Sequence, residues 1–212
     1  MKTKNLLLFL VVALTTPLAK AQSVSDVFDP KTPISWLGWD FSRAKFVGIK
    51  ESFGDVKSLM SSWNDLMSTE RAKFNIPTML GKKTVDYKFD VTKMHNAALD
   101  VNTMFSEKPT DKLQRSDIEA IAHSYDYQKN TGIGLMFNIE SFNKQEKDSK
   151  MKSEATVWVT FVNMSTGDVL VTERMTDFAK GFGVRNYWAG AITAIMKRVQ
   201  DDEFKKWKKK YK

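Results

Sequence analysis

Few residues in this chain have the chemistry of a catalytic or metal site. It has two histidines, His95 and His123, and no cysteine. A metal site needs at least three converging ligands, and the chain has no HxH or HxxxH spacing, so we expect no metal ion and no cofactor. His123 stands three residues before Asp126, and the members of a Ser–His–Asp triad need not be adjacent in sequence. A hydrolase that uses a histidine and a carboxylate therefore stays open as an alternative, although the GxSxG motif that would favour it is absent.

Aromatic residues that could bind a partner are concentrated near the start of the chain and before the last predicted helix. The candidate interface residues in these two places are Trp36, Trp39, Phe182, Arg185 and Tyr187. We expect most of the aromatic residues to lie in the core and the remainder to form a patch for a partner, because Trp and Tyr carry much of the binding energy of interfaces. The glycine-containing stretch around Phe182 is interpreted either as a hinge or as an anion site at a helix N-terminus.

Residues 203–212, the tail, are predicted to form a short basic amphipathic helix. Its candidate binding residues are Phe204, Lys205, Trp207, Lys208 and Tyr211. The three aromatic residues share one face, which in a regular helix lies roughly 80–140° away from Val199. The acidic residues 201–203 mark this change as a bend or as the first turn of a new helix. The tail is thus either a solvated terminus or an element that docks on an anionic surface or a partner.

The N-terminus predicts export. Two lysines precede nine apolar residues, 6–14, and residues 19–21 (Ala-Lys-Ala) match the small-x-small cleavage pattern. This apolar run is shorter than the roughly 20 residues of a membrane-spanning helix, so we predict a signal peptide over residues 1–21, cleaved after Ala21, with an uncleaved anchor as the alternative. The mature chain is expected in the periplasm or outside the cell, with no transmembrane segment. Without cysteine, disulfides and an N-terminal lipid anchor are excluded.

The net charge of the predicted mature chain lies in its tail. The formal charge is +8 for the full chain, +5 without residues 1–21 and zero for residues 22–202. A neutral body has no basic cleft for a phosphate backbone, so we do not expect nucleic acid as a partner.

The hydrophobic pattern predicts one α/β domain with a mixed sheet. Residues 155–163 and 169–175 alternate as strands around a Ser-Thr-Gly-Asp turn, and residues 133–139 alternate in the same way. The C-terminal half is therefore predicted to be an antiparallel three-stranded meander packed by helices, with a polar loop at 144–150. Further predicted elements are strands at 45–49 and 83–91, helices at 55–67 and 92–101, a helix that starts with a capping box at 116–119, and a last helix from about residue 186.

These elements define the expected limits of the domain. Residues 22–35, with two prolines, are predicted to be a flexible arm, residues 36–202 a single α/β domain, and residues 203–212 the tail.

Three segments of the C-terminal half resemble a known family of proteins. They are residues 132–136 (Gly-Ile-Gly-Leu-Met), residues 159–163 (Val-Thr-Phe-Val-Asn) and residues 166–170 (Thr-Gly-Asp-Val-Leu), the last of which contains the turn between two strands. From Ile118 onward the chain resembles the small α/β domain of envelope assembly proteins, which include the curli-secretion pore lipoprotein, the lipoprotein activators of penicillin-binding proteins and the N-terminal domain of the Tol-system periplasmic protein. The chain departs from these lipoproteins in having no lipidation cysteine.

The resemblance implies a scaffold or regulator that acts by protein contacts. Together with the export signal, it predicts an exported, soluble, non-catalytic binding module that assists a bacterial cell-envelope complex through a protein partner. The alternative hydrolase would act on an envelope polymer, with His123 or His95 beside a carboxylate.

Overall fold

The computed structural model describes residues 22–49, 54–147 and 150–211. The predicted signal peptide and its cleavage site lie outside the described residues. In the part of the chain that the structure describes, no helix has the length and apolar character needed to cross a bilayer.

Helices and short strands alternate in the first half of the chain, and three long strands precede the C-terminal helices. The helices among the described residues are α1 (Val24–Val27), α2 (Val56–Thr69), α3 (Ile76–Leu80), α4 (Asp90–Ala97), α5 (Arg115–Ser124), α6 (Val184–Arg198) and α7 (Phe204–Lys210). The strands are β1 (Ile34–Asp40), β2 (Lys45–Val47), β3 (Asp86–Tyr87), β4 (Phe105–Ser106), β5 (Ile133–Lys147), β6 (Lys150–Asn163) and β7 (Val169–Phe178). A π-helical turn, Val199–Glu203, joins α6 directly to α7.

Strand β5 is the centre of the sheet because it has partners on both sides. On one side it pairs in parallel with β1 and, further along, with β2; on the other side it pairs antiparallel with β6. β6 pairs antiparallel with β7, and the short strands β3 and β4 lie parallel to β1 and β2. Among the described strands, four of these six pairings are parallel. The predicted α/β fold with a mixed sheet is confirmed, but the predicted antiparallel strands are only one part of a largely parallel sheet.

β1 and β2 follow the same side of β5 with a gap between them. Asp40 at the end of β1 is opposite Asn138, and β2 resumes opposite Ser141. The chain leaves the sheet over residues 41–44, at the place where β5 has a bulge between Ile139 and Ser141. A bulge bends a strand and re-aims its side chains, so the gap and the bulge together create a site on the sheet.

Two predicted elements are wrong. The strand predicted at 83–91 has only two residues, Asp86–Tyr87. The reason is that α4 begins three residues later, so the end of the alternating pattern forms the first turn of this helix. In the polar loop predicted at 144–150, residues 144–147 and 150 instead belong to paired strands, and β5 and β6 stay in register to Lys147 opposite Lys150. Backbone hydrogen bonds hold such a ribbon together whether or not its side chains are apolar.

Other predicted elements are present with shifted ends. α2 follows Asp55, whose carboxylate accepts two backbone N–H groups of the first turn. α5 has its capping box two residues earlier than predicted, because Gln114 rather than Ser116 is the cap, and the N–H of Gln114 donates to Asp117 (2.7 Å). The strand predicted at 45–49 is β2, and the unpredicted β1 precedes it within the aromatic stretch.

The sheet lies between two helical layers and has a hydrophobic core on each face. The larger core packs α2, α3, α6 and α7 against one face and contains Trp63 and Trp188. The smaller core packs α5 against the other face and contains Leu37, Ile118 and Trp158. This is the layered arrangement expected of an α/β domain.

The segment predicted as a flexible arm, residues 22–35, is packed against the domain. Val27 and Phe28 are buried, and the ring of Phe28 lies 5.2 Å from that of Phe204. Lys82 Nζ donates to two carbonyls of the segment, at 2.6 and 3.1 Å. Its apolar residues therefore hold the segment in the core, and its prolines and polar residues form turns rather than a free arm.

Side chains, rather than a strand, close the outer edge of β1 beyond its short pairing with β3. The Oδ1 of Asn64 accepts the N–H of Trp39 (2.7 Å), and the Nδ2 of Asn96 donates to the carbonyl of Trp39 (2.8 Å). The Oδ1 of Asn96 also accepts the N–H of Phe41 (3.0 Å). Buried backbone groups need partners, so these two amides take the place of a neighbouring strand.

Gly38 permits this close approach of α2 and α4 to β1. It has a φ of +107°, and a Cβ on it would lie 2.5 Å from Oδ1 of Asn64 and 2.7 Å from Oγ1 of Thr92. The same Thr92 oxygen donates to the carbonyl of Leu37 (2.5 Å). A side chain at position 38 would therefore displace the groups that satisfy the edge of β1.

We predict that Asn96→Ala lowers the free energy of unfolding by about 2–3 kcal/mol, because it removes partners from buried backbone groups of Trp39 and Phe41. Urea denaturation followed by circular dichroism measures this loss. The control is Asn102→Ala, at an exposed position, which is expected to change stability by less than ~0.5 kcal/mol. Equal losses in the two variants would contradict the role assigned to Asn96.

Candidate functional site

Two buried carboxylates lie at the gap between β1 and β2, and the first is Asp40. Its carboxylate accepts hydrogen bonds from the Tyr125 hydroxyl (2.6 Å), from Nδ2 of Asn138 (2.9 Å) and from the N–H of Ser42 (3.2 Å). The Ser42 hydroxyl also contacts it. Burial, and then the charge of Asp40, raise the pKa of Tyr125 well above its ordinary value, so this hydroxyl remains a donor.

The second carboxylate is Glu140, at the bulge of β5. It accepts hydrogen bonds from Nε1 of Trp158 (2.8 Å) and from Nε and Nη2 of Arg174 (2.8 and 2.6 Å). Trp158 and Arg174 are opposite each other on β6 and β7. The hydrogen bond to Glu140 raises the pKa of Arg174, so the guanidinium stays charged and the ion pair spans three strands.

A cavity of about 400 Å³ opens beside Glu140. Its walls combine apolar and charged residues, which include Phe41, Leu99, Met104, Arg43, Asp100 and Asp111. A general base or nucleophile must present a free atom to a substrate. Asp40 and Glu140 instead accept several donors each from the protein itself, so the geometry indicates that they join the strands and α5 rather than catalyse a reaction.

Asp40 and Glu140 were not among the residues predicted to form a site. A signal was present, since each is the only charged residue in a largely apolar stretch, residues 34–41 and 133–142. Charged residues are rarely buried unless they are paired, so such positions identify buried polar networks.

Among the described residues, neither histidine accepts a hydrogen bond from a hydroxyl that could act as a nucleophile. Nε2 of His123 lies 3.7 Å from Oδ1 of Asp168, and both side chains are exposed. The Thr166 hydroxyl donates its proton to Asp168 (2.6 Å), whereas a nucleophilic hydroxyl would donate to the imidazole. His95 stacks on Tyr125, with ring centroids 4.4 Å apart. Within the described ranges, no three His, Asp or Glu side chains are grouped to hold a metal ion.

Two of the predicted interface residues, Trp36 and Trp39, lie in the core and are 0% exposed. Trp36 meets Phe137 edge-on at 4.8 Å, and Trp39 stacks on Trp63 at 6.1 Å. Their assignment to an interface is wrong, because β1 is covered on both faces of the sheet.

The aromatic residues of the tail also face the domain. Trp207 is 4% exposed, the ring of Phe204 lies 6.2 Å from that of Phe161, and the Tyr211 hydroxyl donates to the carbonyl of Thr172 (3.1 Å). The π-helical turn before them contains an extra residue and rotates the following side chains by about 100°. This rotation returns the aromatic face to the sheet, which corrects the prediction that these rings bind a partner.

The lysines of the tail that the structure describes remain on the surface. Lys205 and Lys208 are exposed. Lys206 pairs with acidic residues of the π-helical turn, and Lys210 pairs with Glu173 at 2.7 Å. Part of the positive charge of the tail is therefore used in contacts within the protein.

We predict that Trp207→Ala lowers the free energy of unfolding by about 3–5 kcal/mol, as for other buried aromatic residues. The matched control is its exposed neighbour, Lys208→Ala, with an expected change below ~0.5 kcal/mol. Thermal and urea denaturation of both variants test this. If the tail served only to dock on a partner, Trp207→Ala and Lys208→Ala would have equal stability.

The other predicted interface residues, Phe182, Arg185 and Tyr187, lie close together in the chain, between the end of β7 and the first turn of α6, and Phe182 and Arg185 are exposed. We call this the Phe182 surface; its residues are Phe178, Phe182, Val184, Arg185 and Tyr187. Phe182 is 95% exposed, Phe178 55% and Val184 39%, and these are three of the five large hydrophobic side chains exposed in the described residues. Exposed apolar side chains that cluster in this way mark interaction sites.

The exposed loop of this surface is fixed at its base. The N–H of Lys180 donates to the carbonyl of Tyr187 (3.0 Å), and Nε1 of Trp63 donates to the carbonyl of Arg185 (2.9 Å). Gly190 lets the loop lie directly on α6, because a Cβ there would overlap the carbonyl oxygen of Lys180. The loop therefore presents its aromatic tip from a fixed support.

A groove of about 380 Å³ adjoins the Phe182 surface. It is lined by Ile49, Lys144, Gly181, Gly183, Val184, Tyr187 and Trp188. The segment that the sequence indicated as a hinge or an anion site is this loop and the first turn of α6. Apolar side chains and one lysine thus continue from the exposed ring into the groove.

We predict that Gly190→Ala destabilises the protein, by about 1–3 kcal/mol, because the added methyl group would push the loop from α6. In an ordinary helix interior the same change is stabilising by about 1 kcal/mol. The sign of the change in the free energy of unfolding, measured by urea denaturation, decides between these two expectations. Ser61→Ala, on the exposed side of α2, is the control and is expected to have little effect. A more stable Gly190→Ala variant would show that the loop is not held against the helix.

Comparison with known proteins gives distant structural similarities and no family. No protein-family model and no curated protein matches the sequence. Similar solved structures include a hypothetical protein from Chlamydia trachomatis (8% identity, 84% of this chain and 96% of that chain, TM-score 0.35). They also include a lipoprotein from Neisseria meningitidis (8% identity, 81% and 99%, TM-score 0.34). A third is a putative neuraminyllactose-binding hemagglutinin homolog from Helicobacter pylori (10% identity, 86% and 91%, TM-score 0.31).

Proposed function

We propose that this protein is an exported, non-catalytic binding module that assists a complex of the bacterial cell envelope. The observation that carries the proposal is the Phe182 surface, where apolar side chains are exposed on a loop with a fixed base. Such side chains gain roughly 25 cal/mol for each Å² of apolar area removed from water, and a fixed loop loses little conformational freedom on binding. The surface is therefore well suited to hold the module in place at the envelope.

The surroundings of the residues that could act as a base or a nucleophile support a binding role rather than an enzymatic one. Asp40 and Glu140 are satisfied by donors within the fold. His123 and His95 have no hydrogen-bonded hydroxyl among the described residues that would act as a nucleophile. Binding needs none of these groups, whereas hydrolysis of an envelope polymer needs a base that faces its substrate.

The sequence supports the export part of the proposal. Residues 1–21 have the basic start, the apolar run and the small-x-small end of a signal peptide. The resemblance of residues 132–136, 159–163 and 166–170 to envelope assembly domains favours the same compartment and a role through contacts with other components of the envelope.

Site-specific photo-crosslinking in living bacteria tests the proposal. With p-benzoylphenylalanine in place of Phe182, we expect the envelope fraction to contain a chain that begins at Gln22 and a crosslink to an envelope component. The control carries the same group in place of Met94, which is 54% exposed but lies on α4. Mass spectrometry identifies the adducts. A cytoplasmic chain with residues 1–21 intact, or equal crosslinking from both positions, would refute the proposal.

A further inference from the structure

The Phe182 surface lies in a part of the chain that has no negative charge of its own. No Asp or Glu occurs from Phe178 to Gln200, a stretch that contains four basic residues. Lys180 and Arg185 stand on either side of Phe182 in sequence, and both are exposed. No carboxylate of the described residues forms an ion pair with either of them. An apolar tip with cations directly beside it is thus the principal feature of this surface.

We infer that the Phe182 surface docks on an anionic lipid bilayer, with the Phe182 ring among the acyl chains and Lys180 and Arg185 at the headgroups. The inference rests on the proposed function and names what the same surface binds. Amphipathic elements bind membranes when an apolar part and a basic part act together, and each basic residue near an anionic surface strengthens the attraction. The surface contains both parts within eight residues of chain, 178–185.

The shape of the loop favours a bilayer over a protein. Phe182 stands between two glycines, Gly181 and Gly183, so the residues next to it in sequence have no side chain that could cover its ring. Phe182 is 95% exposed, and the charged residues nearest to it in sequence, Lys180 and Arg185, are both cations, which complement anionic headgroups. Tyr187 is half-buried below the tip, and aromatic residues are enriched at the level of lipid headgroups.

Docking of this kind needs no spanning segment. The ring enters from one side, and the fixed base of the loop, held by the hydrogen bond from Lys180 to Tyr187 (3.0 Å), keeps the rest of the domain outside the bilayer. A single apolar tip gives weak and reversible attachment, so binding should depend on the cations as well. This double dependence separates the inference from simple hydrophobic adsorption.

Co-sedimentation of the mature full chain with lipid vesicles tests the inference. We expect binding to vesicles of phosphatidylglycerol and phosphatidylcholine, weak binding to pure phosphatidylcholine, and release at high salt. Phe182→Ser should lower the bound fraction about five-fold, and Lys180→Glu with Arg185→Glu about ten-fold. The first matched control is Met94→Ser, which also replaces an apolar side chain by serine at another exposed position. The second is Lys208→Glu, which reverses a charge in the tail. Both controls should bind within about two-fold of the unchanged chain.

A tryptophan at the tip gives a second measurement. All six native tryptophans are buried, so Phe182→Trp adds one exposed indole. We expect its fluorescence to shift to shorter wavelength on anionic vesicles and to be quenched by brominated acyl chains. Equal binding to neutral and anionic vesicles, no binding, or loss of binding in Lys208→Glu but not in Phe182→Ser would overturn the inference.

The two proposals fail in different ways. Protein adducts from position 182 in cells, together with no vesicle binding, would support the proposed binding module but refute docking on a bilayer. This result would show that a protein occupies the Phe182 surface. Lipid adducts from position 182 together with the expected vesicle binding support both. Neither adducts nor vesicle binding would refute both.

Discussion

Every buried N–H and C=O of a strand needs a partner, and β1 meets this requirement on its outer side through the side chains of Asn64 and Asn96. This constraint fixes α2 and α4 against the sheet. α2 then brings Trp63 onto Trp39, and the Trp63 indole donates to the carbonyl of Arg185 at the base of the exposed loop. The position of the Phe182 surface thus follows from the way in which the backbone groups along one edge of β1 are hydrogen-bonded.

The opposite face of the sheet is joined by a row of polar side chains. Asp40, Asn138, Trp158 and Arg174 are in register across β1, β5, β6 and β7. Glu140 connects the indole and the guanidinium at the far end of the row. The carboxylates of Asp40 and Glu140 each accept several donors, so the row joins four strands of the sheet, although the buried Oδ1 of Asn138 has no partner among the described residues.

The elements that sequence predicted best have strong local periodicity. α2 and the strands at 155–163 and 169–175 repeat apolar residues at helical or strand spacing, and the structure contains them. The parallel pairing was not predicted, although β2 was expected as a strand, because β5, the parallel partner of β1 and β2, is about 100 positions away in the chain. The strands β3 and β4 have only two residues each. Periodicity over so few residues carries little information.

The candidate interface shows the same limit. Composition selected Trp36, Trp39 and Phe182 alike, and only the packing of β1 separates two buried indoles from one exposed ring. In the tail, the sequence indicated that the aromatic face changes direction near residues 201–203. It did not indicate that a π-helical turn would rotate that face back onto the sheet, since this depends on hydrogen bonds between residues five apart rather than on residue type.

The π-helical turn also sets how the C-terminus can change in evolution. Its residues Gln200, Asp201 and Asp202 are exposed, so their identities are free to vary with little effect on packing. Loss of any one residue from Val199–Glu203 would convert the turn to regular helix and swing the rings of α7 off the sheet by about 100°. We therefore expect substitutions at these three exposed positions to disturb the packing of α7 less than the deletion of a single codon.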